Sequence, residues 1–203
     1  MTDDSRRRFL ITTGTLAASL SANFGFMGEG LAQELAPTPE CKDSDEPTAQ
    51  QTEGPFFKPR SPQRVDLREA GKSGKETGKP VELAGLVLTK RCQPVAGALV
   101  DLWHADDKGD YDNKGFRYRG HQFTDANGVF RFRTIQPALY PGRTRHYHVK
   151  VQPKGGRILT TQLYFPSEPG NARDGLCRKE LLMRMASAQD GLSARFDFVL
   201  DIG

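Results

Sequence analysis

Cysteine and histidine are scarce in this chain, and their placing excludes most metal folds built on them. Of 203 residues three are cysteines, at 41, 92 and 177, and no two stand at the spacing of a zinc knuckle. No segment has the roughly 20 apolar residues in a row that a membrane span needs. Outside the N-terminus no Lys/Arg run interleaves with aromatics, so nucleic acid is not indicated. The formal charge of +4 is modest, spread along the chain, and points only weakly to anionic small molecules. There is no internal repeat, no second domain and no βαβ rhythm, which removes the parallel α/β folds. The acidic run Asp106, Asp107, Asp110 and Asp112 lacks the flanking helices and terminal Glu of an EF-hand and reads as a solvated turn.

What is present is a series of short β-like runs. Val81–Thr89, Ala98–His104, Val129–Arg133, His146–Gln152, Ile158–Phe165 and Arg195–Asp201 have β-rich composition, several alternate with period two, and turn residues punctuate them. Pro153–Gly156 marks a hairpin between two of them. One short helix is expected at about Arg178–Ser187, where Leu181, Leu182 and Met185 share a stripe. The fold class is therefore all-β: an antiparallel β-sandwich with one short helix and long loops.

The N-terminus is of another kind. Arg6-Arg7-Arg8-Phe9-Leu10, the short apolar run Ile11–Leu20 and Gly30-Leu31-Ala32 have the layout of a twin-arginine signal peptide over residues 1–32. This predicts export to the periplasm or beyond, and a mature chain of 171 residues (203 − 32) with no stable span. That length suffices for one domain with a core. Residues 33–50, polar and Pro-rich, read as a loosely held arm, and 51–203 as the domain. In an oxidising compartment two cysteines can pair, and composition leaves all three pairings open.

The most informative stretch is Arg143-Thr-Arg-His146-Tyr-His148. On a strand, residues i and i+2 point to one face, so His146 and His148 aim at one point while Tyr147 points away. Two of the four histidines are spent here. Upstream stand Tyr111, in Gly-Asp-Tyr-Asp, and Tyr140, in Leu-Tyr-Pro-Gly. Phenolate is a hard anionic donor that suits ferric iron better than zinc. The other candidates read as structural: His104 on a strand, His121 in a loop, and Tyr118 and Tyr164 as packing residues. A different class of function, an exported β-sandwich binding module holding copper, zinc or carbohydrate without catalysis, would have no use for two phenolates beside Arg143.

The order Trp103-His, Tyr111, Thr124-Asp-Ala-Asn-Gly-Val-Phe-Arg-Phe-Arg, Tyr140-Pro-Gly-Arg143, His146-Tyr-His148 and Thr160-Thr-Gln162, with Thr52-Glu-Gly-Pro-Phe-Phe57 near the start, strongly resembles the intradiol ring-cleavage dioxygenases. The short spacing from Tyr140 to His146 resembles their exported, single-domain branch. The resemblance implies a β-sandwich and one non-haem Fe(III), held by Tyr111, Tyr140, His146 and His148. Arg143, Gln162 and Tyr140 are implied as catalytic, with Tyr140 helping to take up a proton from the substrate. The implied reaction is O2-dependent opening of a catechol between its two hydroxyls to a cis,cis-muconate-type product. The implied partners are a small catecholic substrate and O2, with room left for a homo-oligomer. The resemblance also implies a Cys41–Cys92 disulfide, which would tie the arm to the sandwich and stabilise by about 3–4 kcal/mol in the chain-entropy picture.

Overall fold

The computed structural model describes residues 46–68 and 77–203. The expected signal peptide, most of the arm and Cys41 lie outside the described residues.

Nine strands follow one another: β1 Pro80–Thr89, β2 Leu99–Trp103, β3 Arg119–Phe123, β4 Val129–Ile135, β5 His146–Gln152, β6 Leu159–Tyr164, β7 Arg184–Ala188, β8 Gly191–Arg195 and β9 Phe198–Leu200. They form two sheets. One runs β3-β2-β5-β6, antiparallel throughout; the other runs β4-β1-β8-β7, with β9 also beside β1. Alternation explains the layering. Val100 and Leu102 on β2, Tyr147, Val149 and Val151 on β5, and Leu163 on β6 are buried in one core with Val81, Leu83 and Val87 of β1 and Phe130 and Phe132 of β4. The sandwich is as expected, and the β5–β6 hairpin turns at 153–156.

Four local expectations change. In place of a helix at Arg178–Ser187 there is a single 3-10 turn, Lys179–Leu181, followed by strand β7. Leu181 and Met183 are buried two apart, Met183 N–H bonds to the Tyr164 carbonyl, and β7 pairs with β8, so ladder bonds outcompete the helical stripe. The Arg195–Asp201 run splits into β8 and β9, which pair with β1 in parallel, so the second sheet is mixed. At the split a Cβ on Gly85 would lie 1.7 Å from the Phe196 carbonyl oxygen, and the Asp197 carboxylate takes the Leu86 N–H at 2.9 Å in place of a ladder carbonyl. His121 lies on β3, not in a loop. The last residues of the arm are held: Thr48 N–H bonds to Val199 O at 2.9 Å, Gln51 N–H to Thr160 O at 2.8 Å, and Thr161 Oγ1 to Ala49 O at 2.7 Å. On the far edge, residues 62–67 bond to both β3 and β4. Residues 52–61, between these two stitched segments, are thereby drawn across the outer face of the four-stranded sheet.

Cys92 is disulfide-bonded and Cys177 is free, so two of the three open pairings, those that use Cys177, do not occur.

Candidate metal centre

The side chains that alternate with the core residues of the four-stranded sheet form a polar row. Arg119, Trp103, His148 and Gln162 stand directly opposite one another across β3, β2, β5 and β6, and His146 faces Tyr164 one step away. All are buried: residues 52–57 lie over Arg119, Trp103, His148 and Gln162, and Gln51, Arg143 and Leu176 meet Tyr164. A Cβ on Gly54, whose φ is +70°, would sit 3.2 Å from the His148 ring, and Gln162 Nε2 donates to Thr52 O at 2.9 Å. Phe57 packs edge-on against Trp103, which stacks on His148 with centroids 5.0 Å apart.

Tyr111 reaches this row from the β2–β3 connection. Its loop is shaped by two carboxylates rather than by solvent, which corrects the solvated-turn reading. Asp106 is buried, accepts the Lys108 and Asp110 N–H groups at 2.9 Å each, and pairs with Arg117. Asp112 accepts from the N–H groups of Lys114, Gly115 and Arg117 at 2.7–3.0 Å. Phe56 stacks on the Tyr111 ring, 4.4 Å between centroids at 15°. The buried Arg119 donates to Asp112 O at 3.0 Å and to Phe56 O at 2.6 Å, joining the two stacked segments.

Three donor atoms converge. Tyr111 Oη is 3.3 Å from His146 Nε2 and 3.0 Å from His148 Nε2, and the two imidazole nitrogens are 3.1 Å apart. Tyr140 stands beside them, its ring edge-on to Tyr111 at 5.8 Å and to Phe56 at 5.5 Å; it is partly exposed and its hydroxyl makes no hydrogen bond among the described residues. All four expected ligands are thus in one neighbourhood, three of them touching.

This donor set fits a cation. His146 Nδ1–H donates to Thr144 O at 2.6 Å, which leaves a lone pair on Nε2. Burial pulls His146 down to about 4 and His148 well below its usual value, so both imidazoles are neutral. The three mutual contacts then share at most two protons, and His148 Nδ1 is buried with no partner. Burial raises the Tyr111 phenol above its usual range despite Arg143 and Arg119 nearby, so the phenolate needs a closer positive charge.

Arg143 closes the other side. Its Nε donates to Asp174 Oδ2 and its Nη2 to Gln162 Oε1, at 2.9 and 2.7 Å. Tyr164, expected only to pack, is buried but also puts its hydroxyl within 2.6 Å of Gln51 Oε1 and 3.0 Å of Gln162 Oε1. Tyr147 points away as expected and donates to Ile135 O at 2.8 Å. His104 and Tyr118 are buried structural groups; His104 is held by Ala105 O and Thr134 Oγ1, both at 2.6 Å. Ser61, Asp101 and His121 form a separate hydrogen-bonded cluster with the serine in the middle. Sequence reasoning missed Asp174, Arg119 and Phe56. Only Phe56 left a trace, inside the Thr52–Phe57 motif.

A protein-family model for dioxygenases matches residues 52–202. A protocatechuate 3,4-dioxygenase beta chain of Burkholderia cepacia is 32% identical over 162 residues, covering 66% of this chain and 69% of that one. The chain belongs to the intradiol ring-cleavage dioxygenase family. Another member, a hydroxyquinol 1,2-dioxygenase of Rhodococcus opacus, is 28% identical over 192 residues, and the match spans only 58% of that protein's length. Among solved structures, the dioxygenase domain of a dioxygenase carbohydrate-binding protein fusion from Streptomyces sp. SirexAA-E is 51% identical. It superimposes with a TM-score of 0.74, covering 78% of this chain and 100% of that domain.

Proposed function

We propose that this protein is an Fe(III) dioxygenase that opens catechol-type rings between the two hydroxyls. The observation that carries the reading is the contact triangle of Tyr111, His146 and His148, with Tyr140 alongside, on a chain of this family. Those four residues would hold the iron, and Gln162 and Arg143 flank it. When bound, ferric iron supplies a Lewis acid that favours the doubly deprotonated catechol and makes its ring reactive toward O2. The bond between the two oxygenated carbons breaks, and both atoms of O2 enter a cis,cis-muconate-type dicarboxylate.

The chain's own groups have distinct tasks. Tyr140 Oη, partly exposed and free of hydrogen bonds among the described residues, would be a phenolate when it holds the iron, and in that form would be the oxygen that accepts a catechol proton. His146 is locked by its Thr144 bond, whereas His148 is held by the Trp103 ring and the close approach of Gly54. Gln162, bonded to Arg143, Tyr164 and Thr52, holds Arg143 toward the site. Arg143 presents a fixed cation to the negative charge that develops on the ring oxygens, worth about 3 kcal/mol by comparison with one preorganised donor. Phe56, Phe57 and Trp103 keep water from this face.

Export by the twin-arginine route to the periplasm or exterior is part of the proposal. Arg6-Arg7-Arg8-Phe9-Leu10 supports it, and so does the bonded state of Cys92, since disulfides persist in oxidising compartments. The deciding experiment is oxygen uptake by iron-replete protein with catechol, protocatechuate and hydroxyquinol, using labelled O2 and separating the products. A ring-opened dicarboxylate carrying both labelled atoms, from red-brown protein, is expected. Stoichiometric zinc or copper, with no visible band after iron reconstitution, would overturn the reading.

A further inference from the structure

The connection that leaves β6, residues 165–178, folds back onto the segment before β5 and meets it in reverse order. Glu168 pairs with Arg145 at 2.9 Å, Asn171 accepts from Thr144 Oγ1 at 2.7 Å, and Asp174 pairs with Arg143 at 2.9 Å. Asn171 in turn donates to Phe165 O at 2.8 Å, which shapes the connection itself. Of the two ion pairs, that of Asp174 is the more deeply placed: its side chain is 3% exposed and that of Arg143 19%, against 18% and 28% for Glu168 and Arg145. Both oxygens of its carboxylate are engaged. Oδ2 accepts from Arg143 Nε and the Thr144 N–H, both at 2.9 Å, and Oδ1 from the Leu176 N–H at 3.0 Å. The guanidinium is therefore pinned along one edge by Asp174 and at Nη2 by Gln162, and Nη1 is left with no partner among the described residues.

We infer that Asp174 is a positioning residue for the reaction, acting through Arg143: it fixes the guanidinium plane so that the Nη1 end is held toward the substrate. A planar fork has little orientational freedom once two of its three nitrogens are bonded, and turnover depends steeply on such alignment. The inference rests on the reading of Arg143 given above.

Asp174→Asn tests it, because asparagine keeps the shape and an oxygen for a backbone N–H but lacks the charge that holds Arg143 Nε–H. The expected result is a kcat per folded molecule lower by about tenfold to a hundredfold, as for a misplaced catalytic group, with iron content and colour retained. In an Arg143→Leu background the same change should cost nothing further, since coupled residues are not additive. In metal-free protein, exchange of the Arg143 Nε–H with solvent should accelerate in Asp174→Asn. Asn171→Ala, which loosens the same connection without touching Arg143, should leave kcat near the parental value. Equal losses from Asp174→Asn in both backgrounds, unchanged Nε–H exchange, or an Asn171→Ala loss as large as that of Asp174→Asn would each overturn the positioning role. If Arg143→Leu alone turned over at the parental rate, the reading of Arg143 would fall, and this inference with it.

Discussion

The two faces of the four-stranded sheet are built from the same strands and do different work. On the inner face Leu102, Tyr147, Val149 and Leu163 are apolar or, in Tyr147, satisfied by one bond, and they pack against the second sheet. On the outer face, one residue along each strand, stand Trp103, His148, Gln162 and Tyr164, nearly as buried yet polar. The inner face is covered by another sheet; the outer face is covered by residues 52–57, which bring carbonyls, a glycine and two phenylalanines. Apolar packing tolerates exchanges that keep volume and pattern, so the inner face specifies the fold with partly interchangeable residues. Buried polar atoms need named partners, so the outer face specifies a site.

Breaking the outer face should have the largest effect, and on function. Tyr111→Phe and His146→Ala each remove one of three touching donors. Bound iron and colour should be lost, and oxygen uptake should fall by more than about 10²-fold, beyond what loss of a supporting group around a metal causes. Arg143→Ala, on the same side but off the metal, should keep iron and colour while kcat drops by about 10²–10³-fold. Metal analysis beside single-turnover rates separates the two classes; colour lost from Arg143→Ala would undo the distinction.

Breaking the inner face should act on stability alone. Leu163→Ala lies between Gln162 and Tyr164 in sequence but points into the core, and should cost about 2–5 kcal/mol in urea unfolding, with turnover per folded molecule unchanged. A loss of iron in that variant would mean that the faces are not separable. His104 sharpens the comparison, because it is a buried ionisable group off the site. Burial first, only partly offset by the Ala105 bond, lowers it to about 4. Between its unfolded value near 6.5 and about 4 the unfolded chain binds a proton that the fold refuses. The His104 contribution is therefore full above about pH 6.5 and falls by on the order of 3 kcal/mol as pH drops to 4, and in metal-free protein His146 and His148 add to the decline in the same direction. His104→Gln should make the decline shallower in metal-free protein by that one contribution, leaving those of His146 and His148. The smallest effect belongs to Tyr147→Phe, which leaves the Ile135 carbonyl without its donor and should cost about 1–2 kcal/mol at constant kcat.

Much of this was legible beforehand. The alternation of β1, β4 and β5 and the His146/His148 pair rest on period two, a local property of a strand. The helix expected at 178–187 failed because Leu181 and Leu182 satisfy a helical stripe as well as a strand, and pairing with β8 and Tyr164 decided between them. His121 lacks a clean alternation around it, since Gly120 replaces a core side chain where Leu67 comes close. Asp174 and Arg119 were illegible for a different reason. Nothing in Arg173-Asp174-Gly175 or Tyr118-Arg119-Gly120 indicates which distant group each will meet.

The sequence by itself determined that two imidazoles share a face, that Tyr147 does not, and that two tyrosines and Arg143 stand in family order around them. Those facts depend on spacing within a strand and on residue chemistry. Only the tertiary structure decided that the outer face would be roofed by residues 52–57, that Tyr111 would touch both histidines, and that Asp174 would meet Arg143 from 31 residues away. Such contacts join segments far apart in the chain. They exist only after the sandwich has closed and its edges have been stitched, because until then the entropy of the intervening loops opposes them.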